Sequence, residues 1–280
     1  MIKPMRSIYK FPIIAVLGYK DSGKTMLIEG LTRRLVRLGY RVATAKHVSL
    51  KGFTIDSEGK DTWRHSSAGA NPVISVSDVE VAIKLRSGAE DLTLNRLASL
   101  IEEADIFMME GFSWMTLSEE YVGKILCIRS LDELKKFKSR ISGEIIAVTS
   151  LKPLGDQILK IDGDMDLIAK LILDYIDKWK RIRRIFNMLP RLDCGRCGFK
   201  GCWEMASAIH KGEARTDECV IMRLKPEMKS KIIIDGVEVP VKPFVSEIIR
   251  RSVLSMVSTL KGASIEGDEN IRIEISKKMK

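Results

Sequence analysis

The chain has no apolar run approaching the length of a membrane span, which excludes a helical membrane protein. A few positive charges precede the apolar residues 11–17, but that run is too short for a signal-peptide core. A cytoplasmic location is the expectation. Internal repeats and low-complexity tracts are also missing, so solenoids and linker-like chains are set aside. Cysteine is scarce: five residues, four of them in one cluster, which points away from a disulfide framework. The fifth, Cys127, lies in the strand-like segment 124–129 and reads as a small buried core residue.

What is present is a 280-residue chain with 45% hydrophobic residues, enough for one α/β domain and something smaller. Its net charge of +10 is compatible with an acidic protein partner or a polyphosphorylated substrate. The basic residues are spread along the chain, and the densest run, 178–184, reads equally as a solvated helix face between domains. That distribution argues against a specific nucleic-acid partner.

The strongest local signal is Gly18-Tyr19-Lys20-Asp21-Ser22-Gly23-Lys24-Thr25, a G-x-x-x-x-G-K-T phosphate loop directly after the strand-like Ile13–Leu17. Glycines at both ends let backbone amides wrap a phosphate, and a helix N-terminus adds partial positive charge. Lys24 is expected to offset the terminal phosphates, and the Thr25 hydroxyl to join the Mg2+ shell. Met26 continues the binding segment into the helix. Glu110 ends the hydrophobic strand 105–110 before Gly111, the place for the acid that serves magnesium or an attacking water.

Residues 11–177 alternate β-rich and helical stretches, the pattern of a parallel sheet covered on both faces. Strands are predicted at 12–17, 41–46, 72–76, 80–85, 105–110, 124–129 and 144–149, and helices at 24–38, 61–69, 91–103, 131–139 and 163–177. Residues 178–238 carry the cysteines. From 231 a hairpin about Asp235-Gly236, a helix over 244–260 and a strand at 271–275 are predicted, so 239–280 forms a C-terminal α/β segment. The expected fold class is therefore α/β: a P-loop NTPase with a mostly parallel sheet, then a small cysteine domain and a small α+β segment.

Cys194, Cys197, Cys202 and Cys219 give C-x2-C-x4-C-x16-C. A C-x-x-C turn lets two thiolates share one centre, and Gly195, Gly198 and Gly201 let backbone pass close to an inorganic core. This suits a cluster better than a lone ion, with structural zinc as the competing reading. His210 reads as helix surface and not a ligand.

Taken in order, the phosphate loop, Lys46-His47, the run from Phe53 through Asp56, Gly59, Lys60, Asp61, Arg64 and His65 to Gly69-Ala70, and Glu110-Gly111 resemble the molybdopterin-guanine dinucleotide biosynthesis protein B (MobB) family over residues 11–175. The resemblance implies a GTP-binding P-loop protein, commonly homodimeric, with weak GTPase activity, that assists a separate guanylyltransferase attaching GMP to molybdopterin. It implies catalytic or switch roles for Lys24, Glu110 and Asp56, with Lys60 and Asp61 in a segment facing the γ-phosphate. Read from the residues alone, Asp56 or Asp61 could instead cap the helix starting near 61, and Lys46-His47 could be a solvated turn. The N/T-K-x-D motif that reads guanine is absent, since residues 149–152 are Thr-Ser-Leu-Lys. The cysteine region resembles the four-cysteine [4Fe-4S] domain of corrinoid iron-sulfur proteins and membrane electron-transport subunits. Two alternative classes stay open: a nucleotide-gated iron-sulfur carrier or metallocentre-maturation ATPase, and a zinc module on a basic surface that holds nucleic acid.

Overall fold

The computed structural model describes residues 9–86, 92–223, 232–234, 237–239, 241–257, 259–262, 271 and 273. The chain divides into two units, Met1–Arg181 and Ile182–Lys280.

The first unit is built on six parallel strands in the order β2-β5-β1-β6-β7-β8. These are β1 (Ile13–Leu17), β2 (Val42–Lys46), β5 (Ile106–Glu110), β6 (Val122–Ile128), β7 (Ile145–Ser150) and β8 (Leu159–Lys160). Every residue of β1 is buried, because the strand is central and covered on both faces. Its alternation divides the core in two. Ile14 and Val16 pack with Leu27, Leu31 and Leu35 of α1 (Lys24–Arg37) and with Ile168, Ile172 and Ile176 of α6 (Met165–Met188). Ile13, Ala15 and Leu17 face Leu94 and Ala98 of α3 (Leu94–Ser99), Phe112, and Leu134 and Phe137 of α5 (Leu131–Lys138). Each fully buried leucine of α1 contributes about 1.5–3 kcal/mol through apolar burial.

Two of the predicted strands leave the main sheet. β3 (Val73–Val76) and β4 (Val81–Lys84) pair with each other, antiparallel, with Ile74 opposite Ile83 and Val76 opposite Val81. Their separation is only four residues, too few for the crossover that parallel pairing needs. Asp56 ties this hairpin to α2 (Asp61–Ser67): its carboxylate accepts from Lys84 Nζ at 2.7 Å, Thr62 Oγ1 at 2.9 Å and the Ser57 amide.

The helix predicted to stop at 177 runs on to Met188. Trp179, Ile182 and Phe186 are buried and continue the three- and four-residue apolar spacing through the basic run, and Pro190 ends it. Within that run, Lys178 pairs with Glu144 at 2.8 Å and Lys180 lies over the Tyr40 ring. The division between units falls inside α6, four residues beyond the boundary read from sequence.

In the second unit, α7 (Cys202–Lys211) and the short α8 (Val220–Arg223) flank a 3-10 turn at Thr216–Glu218. Phe186 stacks edge-on with the buried Trp203 at 5.6 Å. β9 (Ile232–Ile234) and β10 (Val237–Val239) form the expected antiparallel pair, followed by α9 (Pro243–Val257). The turn residues 235–236 and most of the strand expected at 271–275 lie outside the described residues.

Candidate functional site

The site lies at the C-terminal edge of the central strands, the crevice where open α/β sheets bind ligands. Parallel pairing of β1 with β5 and of β5 with β2 sets Val16, Glu110 and Lys46 in one row. The phosphate loop leaves β1 at the same level. Within it, Asp21 (φ 60°) and Gly23 (φ 87°) are left-handed, which curls the backbone into the amide-lined concavity that binds anions. Gly23 caps α1 without a side-chain hydrogen bond, and no acidic residue occupies the first turn, so the helix start remains electropositive. A Cβ at Gly18 would overlap the Cys127 carbonyl, so this position takes only glycine because strand β6 runs alongside.

The expected side chains converge. Thr25 Oγ1 donates to Glu110 Oε1 at 2.8 Å, and Lys46 Nζ stands 3.0 Å from the same carboxylate oxygen and 3.2 Å from Thr25 Oγ1. Glu110 is nearly enclosed, its side chain 12% exposed. Lys24 Nζ donates to the Tyr19 carbonyl at 2.6 Å across the mouth of the loop. Ser22 is buried, and its hydroxyl has no partner among the described residues. Hydroxyl, carboxylate and two ammonium groups around an amide nest can hold a triphosphate and a hard cation.

Asp56, Lys60 and Asp61 are placed differently. Asp56 is engaged with Lys84 and Thr62, and the Lys84 hydrogen bond holds its carboxyl below the usual range. Lys60 precedes α2, and Asp61 is exposed in the first turn, 3.9 Å from Arg64. Neither acid caps α2: among the described residues the helix start has no side-chain cap hydrogen bond, and Asp56 meets the helix through the Thr62 hydroxyl.

Two features escaped the sequence. Arg129, at the end of β6, is held by Glu133 of α5, donates to the Lys20 carbonyl at 3.2 Å and covers the Tyr19 ring, bracing the loop from outside. His47, Phe112 and Trp114 form an aromatic cluster beside Lys46 and Glu110, with the His47 and Trp114 rings 4.4 Å apart. Phe112 adopts a left-handed backbone (φ 56°) and opens α4 (Ser113–Thr116), a turn no periodicity announces. Cys127 is fully buried as expected, and burial raises its thiol to about 11, well away from reactivity.

In the second unit, Cys194 is exposed, Cys197 half-buried, and Cys202 and Cys219 buried. Gly195 (φ 69°) and Gly198 (φ 87°) shape the C-x-x-C turn, closed by Gly198 N donating to Gly195 O at 3.0 Å. Asp193 accepts from the Cys202 amide at 2.7 Å and fixes the start of α7. Burial raises the Cys202 thiol, while the amides of Asp193, Leu192 and Arg191 donate to its sulfur and oppose that rise. Backbone amides aimed at sulfur and an all-thiol donor set fit a thiolate-held cluster. Among the described residues no three His, Cys, Asp or Glu side chains are gathered into a metal-holding group. Convergence of four thiolates is ordinarily coupled to metal binding itself. His210 lies half-buried on α7.

Comparison with known proteins bears on both units. The family model "Molybdopterin guanine dinucleotide synthesis protein B" (MobB) matches residues 13–150, and one described as "Putative Fe-S cluster" matches 189–221. A Methanocaldococcus jannaschii protein named "Putative molybdopterin-guanine dinucleotide biosynthesis adapter protein" is 29% identical over 265 residues, covering 94% of this chain and 97% of its own. The Haemophilus influenzae "Molybdopterin-guanine dinucleotide biosynthesis adapter protein" is 33% identical over 172 residues, 61% of this chain and 90% of its own. The Bacillus subtilis "Probable molybdopterin-guanine dinucleotide biosynthesis adapter protein" is 37% identical over 117 residues, 39% of this chain and 62% of its own. With the similarity extending over nine-tenths of the Haemophilus protein, the chain belongs to the molybdopterin-guanine dinucleotide biosynthesis protein B family.

Proposed function

We propose that this chain is a cytoplasmic GTP-binding adapter in the biosynthesis of molybdopterin guanine dinucleotide, serving a separate guanylyltransferase. It acts as a weak Mg2+-dependent GTPase and carries a [4Fe-4S] cluster. The observation that carries the reading is the convergence of Thr25, Glu110 and Lys46 beside the phosphate loop. In this reading the loop amides hold the phosphates, Lys24 turns from the Tyr19 carbonyl to the β- and γ-phosphates, and Lys46 follows the γ-phosphate. Thr25 and Glu110 are the residues that would hold a magnesium ion, which would offset phosphate charge, and the Glu110 carboxylate would be placed to orient a water. Cys194, Cys197, Cys202 and Cys219 hold the cluster, which supplies one-electron chemistry or a structural staple.

A homodimer belongs to the same reading. Ile74, Val76, Val81 and Ile83 share one face of the β3–β4 hairpin and are 55–74% exposed, an aliphatic patch that association would cover. A second reading, a nucleotide-gated iron-sulfur carrier or maturation ATPase, draws on the Thr-Ser-Leu-Lys sequence at 149–152, which offers no aspartate to read guanine.

The test is reconstitution. Protein purified anaerobically is analysed for iron, sulfide, zinc and bound nucleotide, then added to guanylyltransferase, molybdopterin and GTP. Stimulated dinucleotide formation with wild type and none with Lys24→Ala is expected. No stimulation, together with a preference for ATP, refutes the adapter role in favour of the second reading.

A further inference from the structure

A cavity of about 640 Å³ has His47 and Trp114, which follow the ends of β2 and β5, at one side, and Tyr9 and Glu119, which precede β1 and β6, in the rest of its lining, together with Thr93, Asn95 and Met115. We infer that it binds a fused 2-amino-4-oxopyrimidine ring, the pterin of a molybdopterin-type cofactor, stacked on Trp114 and His47. This rests on the function proposed above and adds to it a site for the second substrate.

Three observations carry the inference. Trp114 is half exposed although His47 meets it edge-on and Phe112 packs against it at a tilt, so the indole is held in place with part of its surface open. A fixed aromatic plane loses little entropy when a ring stacks on it. The lining is mixed: an aromatic pair and Met115 supply apolar area, while Asn95 and Glu119 supply polar groups, the composition of a small-ligand pocket of ordinary size. A carboxylate such as Glu119 matches the two parallel N–H donors on the 2-amino edge of a pterin.

Guanine presents the same edge, and location decides between the two. His47 follows Lys46 and Trp114 lies four residues beyond Glu110, so the His47–Trp114 side of the cavity is the side toward the terminal-phosphate and metal end of the proposed nucleotide site. In a nucleotide held by the loop, the base lies at the opposite end of the phosphate chain. The cavity therefore takes a second molecule. A ring stacked on Trp114 and His47 would occupy the side of the cavity nearer Lys46 and Glu110, with Glu119 farther along the lining.

The test is calorimetric titration of the full chain, saturated with GTP and Mg2+, with 6-hydroxymethylpterin, and in a parallel arm with GMP. Wild type binds the pterin, and Trp114→Ala binds it on the order of tenfold more weakly, the loss expected for one stacking contact. Trp114→Phe recovers part of that loss, and Glu119→Gln weakens binding because its NH2 faces the ligand's donors. GTP affinity stays unchanged in all three variants. Absent pterin binding, equal affinity in Trp114→Ala, or binding of GMP in place of pterin overturns the inference. Stimulation of the guanylyltransferase, measured on the same preparation, separates the two failures. Stimulation without pterin binding removes the pocket alone, and loss of both removes the adapter reading as well.

Discussion

Gly23→Ala and Gly39→Ala form a matched pair that isolates what the phosphate loop requires. Both glycines have nearly the same left-handed backbone, φ 87° and φ 84°, so alanine brings each the same conformational penalty, about 1–2 kcal/mol. Their surroundings differ. Among the described residues a Cβ at Gly39 meets nothing within 4 Å, whereas at Gly23 it would lie 2.6 Å from Ile161 Cδ1 and 2.9 Å from Leu151 Cδ2. Ile161 is fully buried and Leu151 is 40% exposed, so Leu151 can swing aside and Ile161 cannot. The crowding then adds about 1 kcal/mol or somewhat more, at the low end of overpacking costs. Relief of that contact moves the Gly23–Thr25 backbone, which positions the amides for phosphate. Losing one charge-assisted amide–phosphate bond costs about 1.5–3 kcal/mol, roughly 10- to 150-fold in GTP affinity. Urea unfolding and GTP calorimetry on both variants measure these quantities. Gly39→Ala is expected to lose stability alone, and Gly23→Ala to lose more stability together with GTP affinity. Equal stability losses with unchanged GTP affinity would refute the reasoning.

Glu110→Gln keeps GTP binding but loses magnesium-dependent hydrolysis, read as phosphate release with and without Mg2+; hydrolysis at the wild-type rate would remove Glu110 from the metal site. If the proposed cluster is present, wild type contains four irons and four sulfides per chain; alanine at Cys194, Cys197, Cys202 or Cys219 is expected to lower that content and Cys127→Ala to leave it intact, as elemental analysis and visible absorption will report. Lys124 is wholly buried in β6, where its ammonium donates to the carbonyls of Glu119, Val122 and Ser142, and burial lowers its pKa from 10.5 to about 8. Between those values the unfolded chain binds the extra proton, so this residue's contribution to stability rises with pH from about 8 to 10.5 and is lost as pH falls through 8. Denaturant midpoints across that range should rise more steeply for wild type than for Lys124→Met, and parallel slopes would contradict it. Lys124→Met should also be less stable at pH 7, since three carbonyls lose their donor.

Much of the candidate site's geometry was legible because it is local or set by strand ends. The phosphate loop is one contiguous segment, and Glu110 announces itself as an acid closing a hydrophobic strand. Lys46 remained ambiguous until the pairing of β2 with β5 put it opposite Glu110. Asp56 was ambiguous for the converse reason: its partner Lys84 is 28 residues away, on a hairpin that sequence could not separate from the main sheet. The aromatic cluster was illegible since His47, Phe112 and Trp114 meet only through that same strand adjacency and a left-handed residue at Phe112. The end of α6 lies beyond the predicted 177 because the basic run 178–184, which reads as a solvated helix face between domains, hides the apolar stripe that Trp179, Ile182 and Phe186 keep in register.

The central claim is that Lys24 and the amides of its loop hold a nucleotide that the chain uses as GTP. Calorimetry of the anaerobically purified protein with GTP and with ATP, in Mg2+, for wild type and Lys24→Ala, tests it most directly. The account predicts GTP binding tighter than ATP binding in wild type, and no detectable binding of either in Lys24→Ala. Unchanged GTP affinity in Lys24→Ala would contradict the site, and a clear preference for ATP would contradict the adapter function built on it.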